Sequence, residues 1–212
     1  MRLDHVSYVA SHDQISDVVN RIGSQIGTAF IDGGIHPKFG TRNFTAPLLN
    51  GQYIEVVCPL DHPATDLTPF GRAVKSKSQL GGGWMAWVIS TKKIEQIEEK
   101  FNREAINALR KLPNGEEIVW KQIGVIDMID NSELPFFIQW QTQSHPSEMG
   151  KAVSSLESIN IKGDIDKVVT LTSTKKEELK DKFKTSFSNI DIDFKGIESV
   201  IFKNAKNYIE IQ

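Results

Sequence analysis

Apolar residues along this chain change from strand-like to helix-like spacing and back in a regular order. The first segment, Leu3–Ala10, is apolar and predicts a strand. From Ser11 to about Gly27, apolar residues recur every three or four positions, which predicts an amphipathic helix. Ser11 and Gln14 have the spacing of a capping box, so we expect the helix to begin there.

A polar, glycine-rich loop and a hairpin are predicted to complete this first unit. The loop is Gly33–Asn43. The hairpin strands, Phe44–Leu49 and Tyr53–Val57, flank an Asn50-Gly51 pair, whose residues tolerate positive φ. With a short strand predicted near Thr28–Ile31, the order of elements is β-α-β-β-β.

A second unit with the same order is predicted further along the chain. It opens with a strand, Trp84–Ser90, after which Thr91 is a candidate N-cap for a helix that reaches about residue 103. Strands are predicted over Glu117–Ile126 and Phe136–Gln141. The segment 104–116 fits either a longer helix or a weak strand.

The third predicted unit is shorter. A second capping box, Thr174–Glu177, is expected to start a helix whose apolar residues are four apart, namely Leu179, Phe183 and Phe187. Its predicted strands are Leu156–Ile161, Lys167–Thr172, Ile190–Phe194, Ser199–Phe202 and Tyr208–Ile211. We therefore divide the chain into a first module (1–60), a linker rich in proline and glycine (61–83), a second module (84–148) and a third module (149–212) in the same domain.

Composition narrows the class of protein. The 212 residues are 39% hydrophobic and 25% charged with a net charge of −2, which is typical of a soluble globular protein and gives no reason to expect a nucleic-acid partner. No apolar run approaches the length of a membrane span, and no signal segment opens the sequence. The single cysteine, Cys58, excludes an intrachain disulfide. We expect a cytoplasmic protein.

Three strands share one short pattern that ends in a polar residue. Tyr53-Ile54-Glu55 recurs as Tyr208-Ile209-Glu210, and a related Phe137-Ile138-Gln139 has an amide in place of the carboxylate. Glu55 stands among apolar neighbours. Either it points outward from a half-exposed strand, or it lies on the concave face of a sheet and binds a metal or a substrate. The repetition favours the second interpretation.

Four motifs together resemble the vicinal oxygen chelate superfamily, and more narrowly its glyoxalase-like domain group. They cover roughly residues 3–148 and are Leu3-Asp4-His5-Val6, Gly34-Ile35-His36-Pro37 with Gly40-Thr41-Arg42-Asn43, Gly51-Gln52-Tyr53-Ile54-Glu55, and Leu134-Pro135-Phe136-Phe137-Ile138 followed by His145-Pro146. The resemblance implies an α+β fold. Repeated β-α-β-β-β modules would form curved mixed sheets around a cavity, with helices on the outer face.

The resemblance also implies metal ligands on the first and last strands of each module. In this chain they would be His5 and Glu55, with Gln139 or Glu210 as the third ligand and Zn, Fe, Mn, Co or Ni as the metal. Aligning the helix caps places Met85 at the position of His5 in the second unit, so that unit lacks a matching histidine.

Further candidates surround this expected site. His36 is a candidate general base, and Arg42 a candidate partner for a substrate carboxylate, although an ion pair on the surface would also explain it. Thr41 and Asn43 would contact substrate or stabilise the turn. Two tryptophans of the second unit, Trp84 and Trp87, would line an apolar cavity or fill the core.

Three functions fit these observations. The first is a glyoxalase-like enzyme that acts on a small oxygen-chelating substrate, with a divalent metal as its implied cofactor. The second is a metal-free protein that sequesters small molecules, as bleomycin-resistance proteins do. The third is an association module, for which an exposed sheet edge that forms a homodimer would be the sign.

Overall fold

The computed structural model describes residues 1–188 and 194–212. Its strands are β1 (Arg2–Val9), β2 (Ile31–His36), β3 (Thr41–Leu48), β4 (Gln52–Pro59), β5 (Gly83–Ser90), β6 (Ile106–Lys111), β7 (Glu117–Ile123), β8 (Phe136–Trp140), β9 (Ser155–Lys162), β10 (Thr185–Ser188), β11 (Gly196–Lys203) and β12 (Tyr208–Ile211). Its α-helices are α1 (Ile15–Ile26), α2 (Pro63–Leu67), α3 (Pro69–Gln79), α4 (Glu95–Phe101), α5 (Val125–Asp130), α6 (Ile165–Thr172) and α7 (Leu179–Phe183). None of these helices is long and apolar enough to cross a membrane.

Eight strands close into a barrel in the order β1-β4-β3-β2-β6-β7-β8-β5. Each half has the same internal order, because β1 pairs in parallel with β4 and β5 pairs in parallel with β8. The antiparallel pair β1–β5 joins the halves on one side. On the other side β2 meets β6 at Ile35 and Lys111. The predicted α+β fold with curved mixed sheets and repeated units is confirmed.

Strand alternation separates an inner from an outer face of the barrel. On β4, Ile54 and Val56 belong to the outer core, which also contains Ile22 and Ile26 of α1. Tyr53 and Glu55 face the barrel interior instead. Because successive side chains of a strand point to opposite faces, the apolar neighbours of Glu55 cover the outside while the carboxylate enters the inside.

A second sheet, ordered β10-β9-β11-β12, packs against the outside of the barrel. Trp87 of β5 meets Phe183 of α7, and Trp84 meets Phe202 of β11, with ring centroids 6.0 and 6.2 Å apart. Both contacts belong to the outer core. The last quarter of the chain therefore covers the barrel without contributing a strand to it. The module boundaries proposed from the sequence, and the homodimer, stay predictions.

The segment predicted as a polar loop, Gly33–Asn43, is a β-hairpin made by β2 and β3. Gly34 has φ +86°, at a register shift between Asp32 and Gly34. A Cβ on Gly34 would lie 1.7 Å from the backbone oxygen of Lys111, so β6 approaches closer than a side chain allows. Glycine in a strand often marks such a close backbone approach, and the sequence prediction mistook it for a loop signal.

The segment predicted as a linker, 61–83, contains α2 and α3. Pro63 and Pro69 stand at the start of these helices, where the missing N–H costs nothing. His62 and Thr68 cap them by accepting hydrogen bonds from the N–H groups of Ala64 and Gly71. The prolines that predicted an irregular linker therefore mark the first turns of two helices.

Two predictions in the last unit are wrong. Lys167–Thr172 belongs to α6 rather than to a strand, because Asp164 caps the helix by accepting from the N–H of Asp166 and Val168 is buried on one side. Phe187 lies on β10 and not on a helix. The predicted strand Ile190–Phe194 falls largely outside the described residues. The ambiguous segment 104–116 contains a strand, β6.

The predicted N-caps Ser11, Thr91 and Thr174 do not stand at the start of an α-helix, and after the capping box Thr174–Glu177 the helix α7 begins only at Leu179. The N-cap of α1 is Gln14, without a side-chain hydrogen bond, and α1 begins at Ile15. Thr91 accepts a hydrogen bond from the N–H of Lys93, but α4 begins only at Glu95. A turn precedes each helix, so the apolar residues predicted the helix correctly, whereas the polar residues before it predicted the wrong N-cap.

Candidate active site inside the barrel

The barrel interior contains a small cavity with a volume of about 30 Å³. That is room for roughly two water molecules, so a larger ligand requires side chains to move. The polar lining residues are His5, His36, Asn43, Glu55, Arg110 and Gln122. Aromatic rings surround them, among them Trp120 and Trp140.

Glu55 is a buried carboxylate with both oxygens engaged. Ser7 of β1 donates its hydroxyl to Oε2, and Asn43 of β3 donates its Nδ2 to Oε1, each at 2.7 Å. Burial by itself would raise the pKa of Glu55, but the charges of His5 and His36 and these two hydrogen bonds lower it overall. Glu55 therefore carries a negative charge inside the barrel at neutral pH.

Asp4 and His5 both reach the barrel interior because β1 bulges between them. In the pairing with β5, Leu3 is opposite Ile89 and His5 is opposite Val88, which leaves Asp4 unpaired. A bulge of this kind re-aims one side chain, so two consecutive residues point to the same side. The Nδ1 atom of His5 then lies 2.9 Å from Oδ1 of Asp4.

Asp4 is fully buried and holds three rings in place. Its Oδ2 accepts from the indole N–H of Trp140 at 3.1 Å and lies 3.3 Å from Nε2 of His145. Burial alone would raise the pKa of Asp4, but its hydrogen bonds with His145 and His5 and their charges bring the pKa far below its usual range. Asp4 is therefore ionised and can only accept hydrogen bonds.

His36 faces the same cavity from β2. Its Nδ1 lies 2.9 Å from the hydroxyl of Thr41, and its ring meets Trp120 edge-on with the centroids 5.7 Å apart. Burial lowers the pKa of His36 to about 4, against the opposing charge of Glu55. At neutral pH the imidazole is uncharged and can accept a proton.

Arg110 brings a positive charge into this cavity. Its side chain on β6 is 2% exposed. Among the described residues, its only hydrogen-bond contact is with the sulfur of Met149, 3.9 Å from Nη2, and no carboxylate lies within ion-pair distance. Arg110 was not predicted as a site residue, because it lies in the segment 104–116, whose secondary structure was ambiguous from the sequence. Its alternation with Ala108, once a strand is assumed there, is the signal that could have found it.

The sequence matches the family model described as glyoxalase-like domain over residues 3–175. The chain belongs to the glyoxalase-like domain family. A comparison with curated proteins found no match.

The fold of this glyoxalase-like domain recurs in a solved structure. A hypothetical protein from Staphylococcus aureus superposes with a TM-score of 0.66 at 19% identity, covering 97% of this chain and 92% of that one. Methylmalonyl-CoA epimerase from Mycobacterium tuberculosis gives a TM-score of 0.43 at 12% identity, over 66% and 86% of the two chains. Coverage by the staphylococcal protein extends the fold likeness to the second sheet.

Four of the residues predicted for a site in this glyoxalase-like domain meet in the cavity, namely His5, His36, Asn43 and Glu55. Thr41 contacts this group only through its hydroxyl, which lies 2.9 Å from Nδ1 of His36. Arg42 lies elsewhere: it is half-exposed and forms an ion pair with Asp32. Arg42 and Arg110 thus differ in the way that matters for binding an anion, because only Arg110 lacks an acidic partner.

The tryptophans predicted to line the cavity fill the outer core instead. The indole N–H groups of Trp84 and Trp87 donate to the backbone oxygens of Ile211 and Glu133, at 2.8 and 3.1 Å. Trp120 and Trp140 line the cavity in their place. Trp84 and Trp87 share the outer face although they are three residues apart, because β5 is bulged between them: Ser7 pairs with Ala86 and Tyr8 with Trp84, which leaves Met85 unpaired.

Neither candidate for a third metal ligand reaches the cavity. On β8 the inward side chains are Phe136, Ile138 and Trp140, so Gln139 points outward and donates to the backbone oxygen of Lys92 at 2.9 Å. Glu210 lies on β12 of the second sheet and accepts from the hydroxyl of Ser199 at 2.5 Å. Matching Gln139 to Glu55 was therefore off by one residue in register.

The donor groups of the cavity do not fit the metal that the superfamily implies. Among residues 1–188 and 194–212, no three His, Cys, Asp or Glu side chains stand close enough together to hold a metal ion. Both oxygens of Glu55 already accept hydrogen bonds from Ser7 and Asn43. We derive no chemical step through a metal.

Proposed function

We propose that this glyoxalase-like domain is an enzyme that moves protons on a small oxygen-rich molecule inside the barrel. The observation that carries the proposal is the meeting of two histidines and an ionised carboxylate, Glu55, in one cavity inside the barrel. Groups whose environments hold them in different protonation states are typical of acid–base sites.

His5 is the proposed general base. Because the ionised Asp4 can only accept, Nδ1 of His5 carries the proton in their hydrogen bond. The neutral ring then has its free electron pair on Nε2, and His5 lines the cavity. This is the arrangement in which a carboxylate orients an imidazole and stabilises the imidazolium that forms when the base takes a proton.

Glu55 and His36 complete the proposed reaction. Glu55 is a fixed negative charge that lowers the free energy of a protonated His5, since its own oxygens are held by Ser7 and Asn43. His36 is neutral at pH 7 and offers a second site for the proton. A proton removed from a carbon next to a carbonyl group can thus be returned at another position, which is isomerase or lyase chemistry.

The test measures exchange of substrate protons with solvent. Wild-type protein in D₂O is incubated with small 1,2-dicarbonyl and 2-hydroxycarbonyl compounds, and loss of the C–H signals is followed by proton NMR. His5→Gln should slow exchange by about 100-fold or more, because a positioned base contributes at least that factor. His12→Gln, at an exposed histidine, is the matched control and should keep the wild-type rate.

The second candidate function is binding without chemistry, which the aromatic lining by Trp120 and Trp140 favours. The two candidates separate in the same experiment. Exchange that survives unchanged in His5→Gln and in His36→Gln would refute the proposed acid–base roles. Ligand-dependent tryptophan fluorescence without any exchange across the compounds would favour the binding protein.

A further inference from the structure

Arg110 is a buried cation without a partner, and its position calls for a ligand. The side chain is 2% exposed, and its Nε has no hydrogen-bond partner. Its Nη2 approaches only a thioether, at 3.9 Å. A charged group taken out of water costs several kcal/mol unless it is paired, so native structures almost always pair such groups.

Two further polar atoms of the same cavity lack partners. Gln122 accepts the indole N–H of Trp120 through Oε1 at 2.9 Å, which leaves its Nε2 without an acceptor. Asn43 donates to Glu55 through Nδ2, which leaves its Oδ1 without a donor. The cavity therefore offers a guanidinium and an amide N–H₂ as donors and one amide oxygen as acceptor.

We propose that Arg110 and Asn43 form a subsite for the carboxylate and the hydroxyl of a small 2-hydroxy acid. The carboxylate would accept from Arg110, which faces the cavity from β6. The 2-hydroxyl would donate to Oδ1 of Asn43. This inference rests on the proposed function for the claim that the bound acid is a substrate, but the binding itself does not depend on catalysis.

Gly33 leaves the space that the side chains of Asn43 and Arg110 occupy. A Cβ on Gly33 would lie 2.2 Å from Oδ1 of Asn43 and 2.8 Å from Nη1 of Arg110. Any side chain at position 33 would therefore push both groups out of place. Gly33 is required by the two side chains that would hold the acid, and not by its own backbone angles, since Gly33 is not among the positive-φ glycines.

Binding of glycolate and of its uncharged analogue glycolamide, measured by calorimetry, tests the subsite. We expect wild-type protein to bind glycolate, and to bind glycolamide about tenfold or more weakly. Arg110→Met should weaken glycolate binding by about tenfold to a hundredfold and remove the preference over glycolamide. Arg110→Lys should retain part of that preference, since lysine keeps the positive charge but lacks the planar guanidinium that can donate two parallel hydrogen bonds. The control Arg72→Met, at an exposed arginine, should bind as wild type does.

Each contrary outcome is distinct from a failure of the proposed enzyme. Wild-type affinity for glycolate in Arg110→Met, equal affinity for glycolate and glycolamide, or no glycolate binding by the wild type would overturn the subsite. His5→Gln should bind glycolate as wild type does while it loses proton exchange. Thermal unfolding of each variant checks that the barrel is folded.

Discussion

Replacing Arg110 by methionine should make the ligand-free protein more stable. The change removes a guanidinium that is 2% exposed and has no acidic partner, and methionine fills most of the same space with a flexible apolar chain. A core substitution that stabilises is unusual, since most single substitutions destabilise. A gain in stability would therefore indicate that Arg110 serves ligand binding, and a loss would indicate that it serves folding.

The magnitude follows from the surroundings of Arg110. Leaving a buried polar group without a partner costs about 1–3 kcal/mol, and methionine removes that cost. Part of the gain is lost because Glu55 lines the same cavity and its attraction to the guanidinium disappears. We expect a net gain in the free energy of unfolding of about 1–2 kcal/mol, and for a chain of this length a rise in Tm of roughly 3–6 °C.

Urea unfolding and calorimetry at pH 7 measure this gain, with Arg72→Met as the control that should remain within about 0.5 kcal/mol of wild type. At the same concentration, glycolate should raise the Tm of the wild type by more than that of Arg110→Met, because the stabilisation grows with the affinity of a ligand for the folded state. A loss of about 2 kcal/mol or more in Arg110→Met would refute the reasoning. It would mean that the guanidinium holds the barrel together.

Three further predictions concern other groups. Burial lowers the pKa of His36 from about 6.5 to about 4, so the protein takes up a proton on unfolding at any pH between these two values. The free energy of unfolding should therefore be unaffected by His36 above about pH 6.5 and should fall by about 3 kcal/mol as the pH is lowered to 4. Urea unfolding across this pH range should show that slope in wild type and not in His36→Gln, and equal slopes would contradict it. Glu55→Gln should slow substrate-proton exchange by about 100-fold. Gln139→Ala and Glu210→Ala should exchange at the wild-type rate, and a slower rate in either variant would argue against the placement of these residues outside the cavity. Burial raises the pKa of the Cys58 thiol to about 11, so iodoacetamide should label it only in urea, and rapid labelling of the folded protein would show that the outer core opens.

Local patterns were enough to find the first half of the barrel. Leu3–Ala10, the stripe that became α1 and the Asn50-Gly51 hairpin are all short-range signals, and each lies close to the predicted position. Alternation around Glu55 left two orientations open, and the repeated Tyr-Ile-Glu pattern favoured the concave face, where the structure has the carboxylate. Its neighbours Ile54 and Val56 are apolar enough to fix which side of the strand is buried in the outer core.

Predictions were wrong where a residue type is compatible with two kinds of local structure and tertiary contacts determine which of the two forms. Gly33 and Gly34 predicted a loop, but they lie in a strand because β6 and the side chain of Arg110 come too close for a Cβ. Pro63 and Pro69 predicted a linker, but they begin helices. Lys167–Thr172 predicted a strand from its β-branched residues, but it is a helix that packs on the second sheet.

By itself, the sequence determined the repeated β-α-β-β-β order, the family and two inward groups, His5 and Glu55, because periodicity and motif lie within a few consecutive residues. Only the tertiary structure decided what stands beside them. The bulge at Asp4, the outward face of Gln139 and the arrival of Arg110 from β6 each depend on strand register. Register is set by pairing between segments that are far apart in the chain, and a shift of one residue exchanges the inside of the barrel for its outside.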